Sequence, residues 1–549
     1  TQNLSTLDGS NGFRLDGVAA DDRSGGSVSS AGDVNGDGFD DLIIGANEAD
    51  PNGDYSGSSY VVFGKASGFS ATQNLSTLDG SNGFRLDGVA GFDRSGGSVS
   101  SAGDVNGDGF DDLIIGVNGA DPNGDYSGSS YVVFGKASGF NATQNLSTLD
   151  GSNGFRLDGV AGFDNSGVSV SSAGDVNGDG FDDLIIGAFR ADNNGGDSGS
   201  SYVVFGKASG FSATQNLSTL DGSNGFRLDG VAGFDLSGVS VSSAGDINGD
   251  GVDDLIIGAG GADPNGSSSG SSYVVFGKAS GFNATQNLSA LDGSNGFRLD
   301  GVAAFDQSGY SVSSAGDVNG DGFDDLIIGA LGADNNSGSS YVVFGKASGF
   351  NATQNLSALD SSNGFRLDGT AAGDRSGISV SSAGDINGDG FNDLIIGARY
   401  ANNDDSGSSY VVFGRADNQA PSIVSTAAVD VAENTTAVIN VQSTDDTNSE
   451  GSGLSYTLSG GNDQAFFAIN ATTGALSFLN APDFETPLDD GTDNTYAVEV
   501  TVTDAGGLSA AQLFTITVTD VANEATSSDD ILRLFPTFGD TQNFERIKR

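Results

Sequence analysis

Residues 33–45 read DVNGDGFDDLIIG. Close variants of this phrase open at Asp104, Asp175, Asp246, Asp317 and Asp385, at intervals of 71, 71, 71, 71 and 68 residues. Recurrence this regular marks an array of one supersecondary unit, so the repeat sets the fold. Each copy starts as an Asp/Asn/Gly cluster and ends in a short apolar run. That is the signature of a tight loop feeding a strand.

Working outward from the phrase, GSVSSAG (26–32), DLIIGA (41–46), SSYVVFG (58–64) and GFRLDG (83–88) read as four short strands, here A to D. Gly, Asn, Asp and Ser clusters separate them, and no segment has a helical period. Four strands per unit suggest the blade of a β-propeller, against the competing reading of a solenoid. Strand D occurs at Phe13, Phe84, Phe155, Phe226, Phe297 and Phe365, so a D precedes the first A–B–C set and none follows the last. A ring in which the strand around Phe13 to Asp16 completes the last blade would remove exposed sheet edges. The expectation is an all-β chain. Residues 1–416 form a six-bladed propeller closed by the N-terminal strand, with seven blades as the alternative. A linker (417–421), an antiparallel β-sandwich (422–525) and a tail (526–549) follow.

Composition narrows the function. Of 549 residues 73 are acidic and 21 basic, a formal net charge of −52. Such a chain repels nucleic acid and anionic membrane surfaces and attracts cations. It has neither Cys nor His, which excludes disulfides, thiol chemistry, imidazole bases and the usual zinc sites. No apolar run reaches the ~18 residues of a membrane span.

The phrase itself predicts a metal loop. Alternate residues of a curled loop aim oxygens at one point, Gly permits the bend, and Ca²⁺ takes six to eight oxygens. The expected ligands are side chains at loop positions one, three, five and nine, and the backbone carbonyl at seven. These are Asp33, Asn35, Asp37, Phe39 and Asp41 in the first copy, and Asp104, Asn106, Asp108, Phe110 and Asp112 in the second. The third has Asp175, Asn177, Asp179, Phe181 and Asp183, and the fourth Asp246, Asn248, Asp250, Val252 and Asp254. The fifth has Asp317, Asn319, Asp321, Phe323 and Asp325, and the sixth Asp385, Asn387, Asp389, Phe391 and Asp393. Position seven varies between Phe and Val, as a carbonyl ligand allows. Position eight changes from Asp40 to Asn392, so it is not expected to ligate. The twelfth position is Ile44, which argues against an EF-hand. A metal-free Asx-rich turn would crowd four carboxylates in each loop. About six Ca²⁺ are expected in the propeller, with room for more in the second domain.

VVFGKASGF, DVNGDGFDDLIIGA and the following GAD resemble FG-GAP repeats, as in the propeller of integrin α subunits. The resemblance implies Ca²⁺ in the A–B hairpins and an extracellular role in adhesion or ligand binding. Integrin propellers have seven blades, whereas six units are counted here. From Ala420 longer alternating strands begin, and VAEN, FFAINATTGALSF, PDFE, VTDAGG and DVANEA resemble a cadherin-like domain. That resemblance implies a Ca²⁺ set of Glu433, Asp483, Glu485, Asp520 and Asn523, and a linker set of Asp417, Asn418, Asp446 and Asp504.

Nearly every acidic cluster recurs with the repeat, so no unique catalytic pair stands out and an enzyme is not expected. The expected class is a calcium-stabilised adhesion or surface-assembly protein of bacterial type, extracellular or on the cell surface. A glycan-binding lectin or a structural subunit of a filament or matrix is the alternative. The expected partner is a protein or glycan, with self-assembly as a further option, and neither nucleic acid nor a membrane span. The A–B and C–D loops are nearly constant, whereas the B–C and D–A loops on the opposite face vary. The variable face is the expected partner site, with Phe189, Arg190, Tyr310, Leu331, Arg399 and Tyr400 as contacts.

Overall fold

The computed structural model describes residues 4–402, 406–415, 420–445, 449, 451–505 and 507–522. The chain divides into two compact units, Thr1–Arg415 and Ala416–Arg549.

The first unit is built from six sheets, one per repeat, plus a two-stranded N-terminal pair. In the second blade strands A (Ser98–Gly103), B (Asp112–Val117), C (Ser129–Val133) and D (Gly154–Asp158) pair in that order, all antiparallel. Strand B is buried along its whole length. Blades pack face to face, so both sides of this strand are covered, and its sequence is a continuous apolar run rather than an alternating one. Between the second and third blades, Ile114, Val132, Phe155 and Leu157 meet Val170, Leu184, Ile186 and Tyr202. Successive A strands are tied as well. The N–H of Val99 donates to Ser27 Oγ at 3.1 Å, and the same bond recurs at four further junctions.

Each of the first four sheets has a fifth strand where a loop was expected. Thr143–Asn145, from the ATQN stretch, runs parallel to strand D of the first blade. Asn145 then accepts the N–H of Ser147 and starts the 3-10 turn Leu146–Thr148. The turn buries Leu146. In the corresponding connection of the third blade, Phe211 stacks on Phe155 at 4.8 Å and meets Phe134 edge-on at 5.3 Å.

The six blades in an all-β chain stand as expected, but the N-terminal strand does not lie where strand counting placed it. Arg14–Asp16 pairs in parallel with Thr72–Asn74, and the sixth sheet has three strands, ending at Ser408–Val412. The first and sixth blades each keep an uncovered face. Val28 is 65% exposed where its counterpart Val99 is 4%, and Ile395 is 38% exposed where Ile256 is 0%. Arg14–Asp16 keeps the parallel neighbour that every D shares up to Gly296–Asp300, while its other edge, which in the interior blades pairs with strand C, pairs with no strand among the described residues.

The second unit is a β-sandwich. One sheet holds Ala428–Ala432, Ser509–Thr519, Thr495–Thr503 and Ser455–Gly460, and the other Ala437–Asn440, Ala475–Phe478 and Phe467–Ile469. The alternation of TYAVEVTVT buries Tyr496, Val498, Val500 and Val502 against Phe514, Ile516 and Phe478. It is antiparallel except for its first strand, which runs parallel to the last.

Candidate metal centres and the variable loop face

The A–B loop is curled by its own carboxylates. Asp104 Oδ1 accepts the N–H groups of Gly107 and Asp108 at 2.7 and 3.0 Å, and Oδ2 accepts that of Gly109 at 2.8 Å. Asp108 Oδ1 accepts from Phe110 at 3.1 Å. At position nine Asp112 is fully buried and accepts from Gly135 at 2.9 Å and Val105 at 3.2 Å. Burial pushes Asp41 up to about 7 and Asp112, Asp183, Asp254 and Asp325 up to about 8. The charges at positions five and one push the same way. A buried carboxylate beside two like charges is costly unless a cation neutralises it. Asn106, Asn177 and Asn248 reach the same carboxylates at 3.1–3.4 Å. Position three thus meets position nine through its amide N–H, and among the described residues no three carboxylates of one such loop lie within 4.8 Å of one another. The Asp and Asn residue types are those a hard cation such as Ca²⁺ takes.

Positions seven and eight have a second role that the sequence did not reveal. Asp182, at position eight, accepts the N–H of Asp104 in the preceding loop at 2.8 Å, and Asp111, Asp253 and Asp324 do the same one blade apart. Phe181, at position seven, lies so close to Gly107 that a Cβ there would meet its ring at 2.3 Å. These residues join each loop to its neighbour.

In the sandwich, Glu433, Glu485 and Asp520 bring three carboxylate oxygens within 4.8 Å of one another, the one such group of acids among the described residues. Buried Glu433 accepts the N–H groups of Val521 and Phe484, both at 2.9 Å. Desolvation and then the charges of Glu433, Asp520 and Asp483 raise the Glu485 carboxyl above its ordinary value. Asp483 instead accepts the N–H of Glu485 at 3.1 Å. Asn523 lies outside the described residues, as do Asp417, Asn418 and Asp446 of the linker set. The fourth member of that set, Asp504, is buried and accepts the N–H of Leu508 at 2.8 Å.

On the variable face the Arg190 guanidinium lies over Phe189 at 5.3 Å, and those of Arg375 and Arg399 lie over Tyr400 at 5.2 and 5.5 Å. Tyr310 is exposed. Leu331 is buried and offers no contact surface, a correction to its expected role. The residues missed are Phe92, Phe163, Phe234 and Phe305, one per blade in the D–A loops and 58–71% exposed. All four have left-handed backbone, with φ of 69–70°. Each donates its N–H to a carbonyl of the B–C loop, Phe92 to Asp54 at 2.7 Å and Phe234 to Gly196 at 2.9 Å. Tyr55 and Tyr126 lie 5.9 and 6.3 Å from Phe92 and Phe163. The available signal was a Phe inside a Gly/Ala/Asp turn stretch rather than in a strand.

Models of the FG-GAP repeat match residues 24–62, 95–133, 166–204, 237–275, 308–343 and 376–412, and a model of the Cadherin domain matches 427–519. The chain thus carries six FG-GAP repeats followed by a cadherin domain. The chain is 32% identical to Integrin alpha-V of Gallus gallus over 178 residues, 32% of this chain and 15% of that protein. It is 33% identical to Integrin alpha-PS5 of Drosophila melanogaster over 165 residues, 30% of this chain and 14% of that protein. The chain thus spans about one seventh of the length of these relatives. A structure of protocadherin gamma B7 extracellular cadherin domains 1–4 is 21% identical, covers 24% of this chain and 32% of its own, and has a TM-score of 0.16. The four exposed Phe of the FG-GAP array fall between the matched segments. Among the described residues no helix is long and apolar enough to cross a membrane.

Proposed function

We propose that this FG-GAP and cadherin chain is a calcium-stabilised, non-catalytic extracellular adhesion protein that binds a protein or glycan through its B–C/D–A loop face. The observation that carries the reading is the row Phe92, Phe163, Phe234 and Phe305. A side chain in left-handed backbone costs roughly 1–2 kcal/mol, and these four stay more than half exposed. The sixth copy has Gly373 at this position, so the fold does not require the ring. Exposed aromatics held on rigid loops are typical anchors of interfaces. Arg190 with Phe189, and Arg399 with Tyr400, extend the same face. When bound, Ca²⁺ would supply the positive charge that the buried ninth-position carboxylates lack. The loop residues named above would hold it, and the Glu433, Glu485 and Asp520 group is a further acidic site of the same kind.

The test replaces the four phenylalanines together by Gly, which the backbone accepts. Attachment to cells or coated surfaces is then measured with Ca²⁺ present. Loss of attachment at an unchanged melting temperature supports the reading. Unchanged attachment, with loss instead on mutating Ser67, Ser138, Ser209 and Ser280 in the C–D loops, refutes it.

A further inference from the structure

The connection from strand C to strand D of the fourth repeat, residues 276–295, bounds a cleft of about 270 Å³. The short strand Thr285–Asn287 lies along it, parallel to strand D of the third blade. Part of the lining is aliphatic: Leu228 and Val275 belong to the core cluster between the third and fourth blades. The other part is polar and includes Asn283, Thr285 and Gln286. None of these three makes a side-chain hydrogen bond among the described residues. No charged side chain lines the cleft, although the chain carries 73 acids and 21 bases.

Gln286 has a donor with nothing to bind. Its Nε2 is buried without a hydrogen-bond partner. An unpaired buried donor is costly unless something supplies an acceptor. The nitrogen and oxygen of an amide exchange places on a half-turn, so an acceptor held in the cleft can take this donor. The sequence shows where the room comes from. The first three repeats have Thr where the fourth has Ala290. That hydroxyl donates to the carbonyl of the Asn that starts the 3-10 turn, Thr148 to Asn145 and Thr219 to Asn216, both at 2.7 Å. The Nε2 of Gln73 is also unpaired, but there Thr77 takes the place of the alanine. The second repeat matches the other nine lining residues one for one, so Ala290 alone separates the two linings. The fifth repeat has Ala358 at this position and the same ten residue types as the fourth.

We propose that the fourth repeat binds one ring of a neutral sugar in this cleft, and that the fifth repeat carries a second such site. A pyranose presents hydroxyls at its edge and C–H bonds on its face. Amides and a hydroxyl pair with the first, and Leu and Val cover the second. The volume lies just below the ~300–1,000 Å³ of clefts that take larger ligands, which suits a single ring. An anion would find no cationic side chain here, and a cation no carboxylate. The site belongs to the C–D connection, so it is separate from the partner site proposed on the B–C/D–A loops.

Saturation-transfer NMR on the full chain with Ca²⁺ tests this, using glucose, galactose, mannose and N-acetylglucosamine as probes. At least one of the four should receive transfer from the wild-type chain. Ala290→Thr with Ala358→Thr gives both repeats the lining of the second, with a residue that three repeats already hold. This pair should abolish the transfer without lowering the melting temperature. Gln286→Leu with Gln354→Leu removes the amides and should do the same. No transfer to any of the four sugars at millimolar concentration overturns the proposal, as does transfer that survives either pair of changes. Transfer lost instead on replacing Phe92, Phe163, Phe234 and Phe305 by Gly puts the sugar on the loop face and also overturns it.

Discussion

Ile256 and Ile395 occupy the same place in strand B of the fourth and sixth blades, in the same DLIIGA context, yet one is fully buried and the other 38% exposed. Truncating both to Ala tests the uncovered end face quantitatively. Ile256 packs in the cluster that joins the fourth and fifth blades, with Val274, Phe297, Leu326 and Ile328. Its loss combines the transfer term with a cavity that the neighbouring blade cannot fill, about 2–5 kcal/mol. At Ile395 a good part of the side chain already meets water and no blade stands opposite, so no cavity forms. Only part of the ~1.5–3 kcal/mol for burying a whole aliphatic side chain is then at stake, about 1 kcal/mol. Val241→Ala and Val28→Ala form a second such pair. A repeat array need not unfold in one step. Urea unfolding should therefore be paired with native-state hydrogen exchange, at concentrations where the chain sediments as a monomer. Equal losses at Ile256 and Ile395 would refute the open end face and show that another surface covers Ile395.

The remaining expectations concern the loops. Chelation should lower the melting temperature, and Ca²⁺ should restore it far better than Mg²⁺, which prefers a rigid octahedron; calorimetry with elemental analysis of the stripped protein checks this. Asp182→Ala should cost about 1 kcal/mol through the orphaned Asp104 N–H, whereas Asp40→Ala should be neutral, as urea midpoints will show. Burial pushes Asp164 up to about 6. Its folded value lies above its unfolded one, so its ionisation penalises the fold as pH rises from about 4 through 6. Asp164→Asn, which keeps an acceptor for the Ala161 N–H, should therefore stabilise at pH 8 and be neutral at pH 4, by thermal melts at both.

Strands A to D were legible because each carries its own pattern: an alternating SVSSAG, a continuous DLIIGA and a β-branched SSYVV, each bounded by turn residues. The Thr143–Asn145 strand was not legible. It is three polar residues long, and only the edge of a neighbouring strand D makes it a strand. Counting strands showed that one D lacks a blade and one blade lacks a D. It could not show whether the two meet within a chain, because the pairing depends on distance in space. The calcium phrase announced its ligand types through spacing alone. The inter-blade role of Asp182 and Phe181 was invisible, since the residue each touches lies 78 or 74 positions earlier in the chain. The row of Phe92, Phe163, Phe234 and Phe305 was read past because a lone aromatic in sequence looks like core, and only its left-handed backbone and exposure separate it.

The offset of strand D has a consequence for how such a chain changes length over generations. The first five blades take their fourth strand from the segment that leads into the next repeat, and the first four take a fifth from the connection further along that repeat. Each junction uses the same Ser–Val bond, and the first four also use the same Asp staple and the same three rings. Unequal recombination that inserts or removes one 71-residue unit would recreate every junction without inventing a new one. The number of blades is thus a variable that the gene can alter in whole steps, and each step adds another pair of variable loops to the binding face.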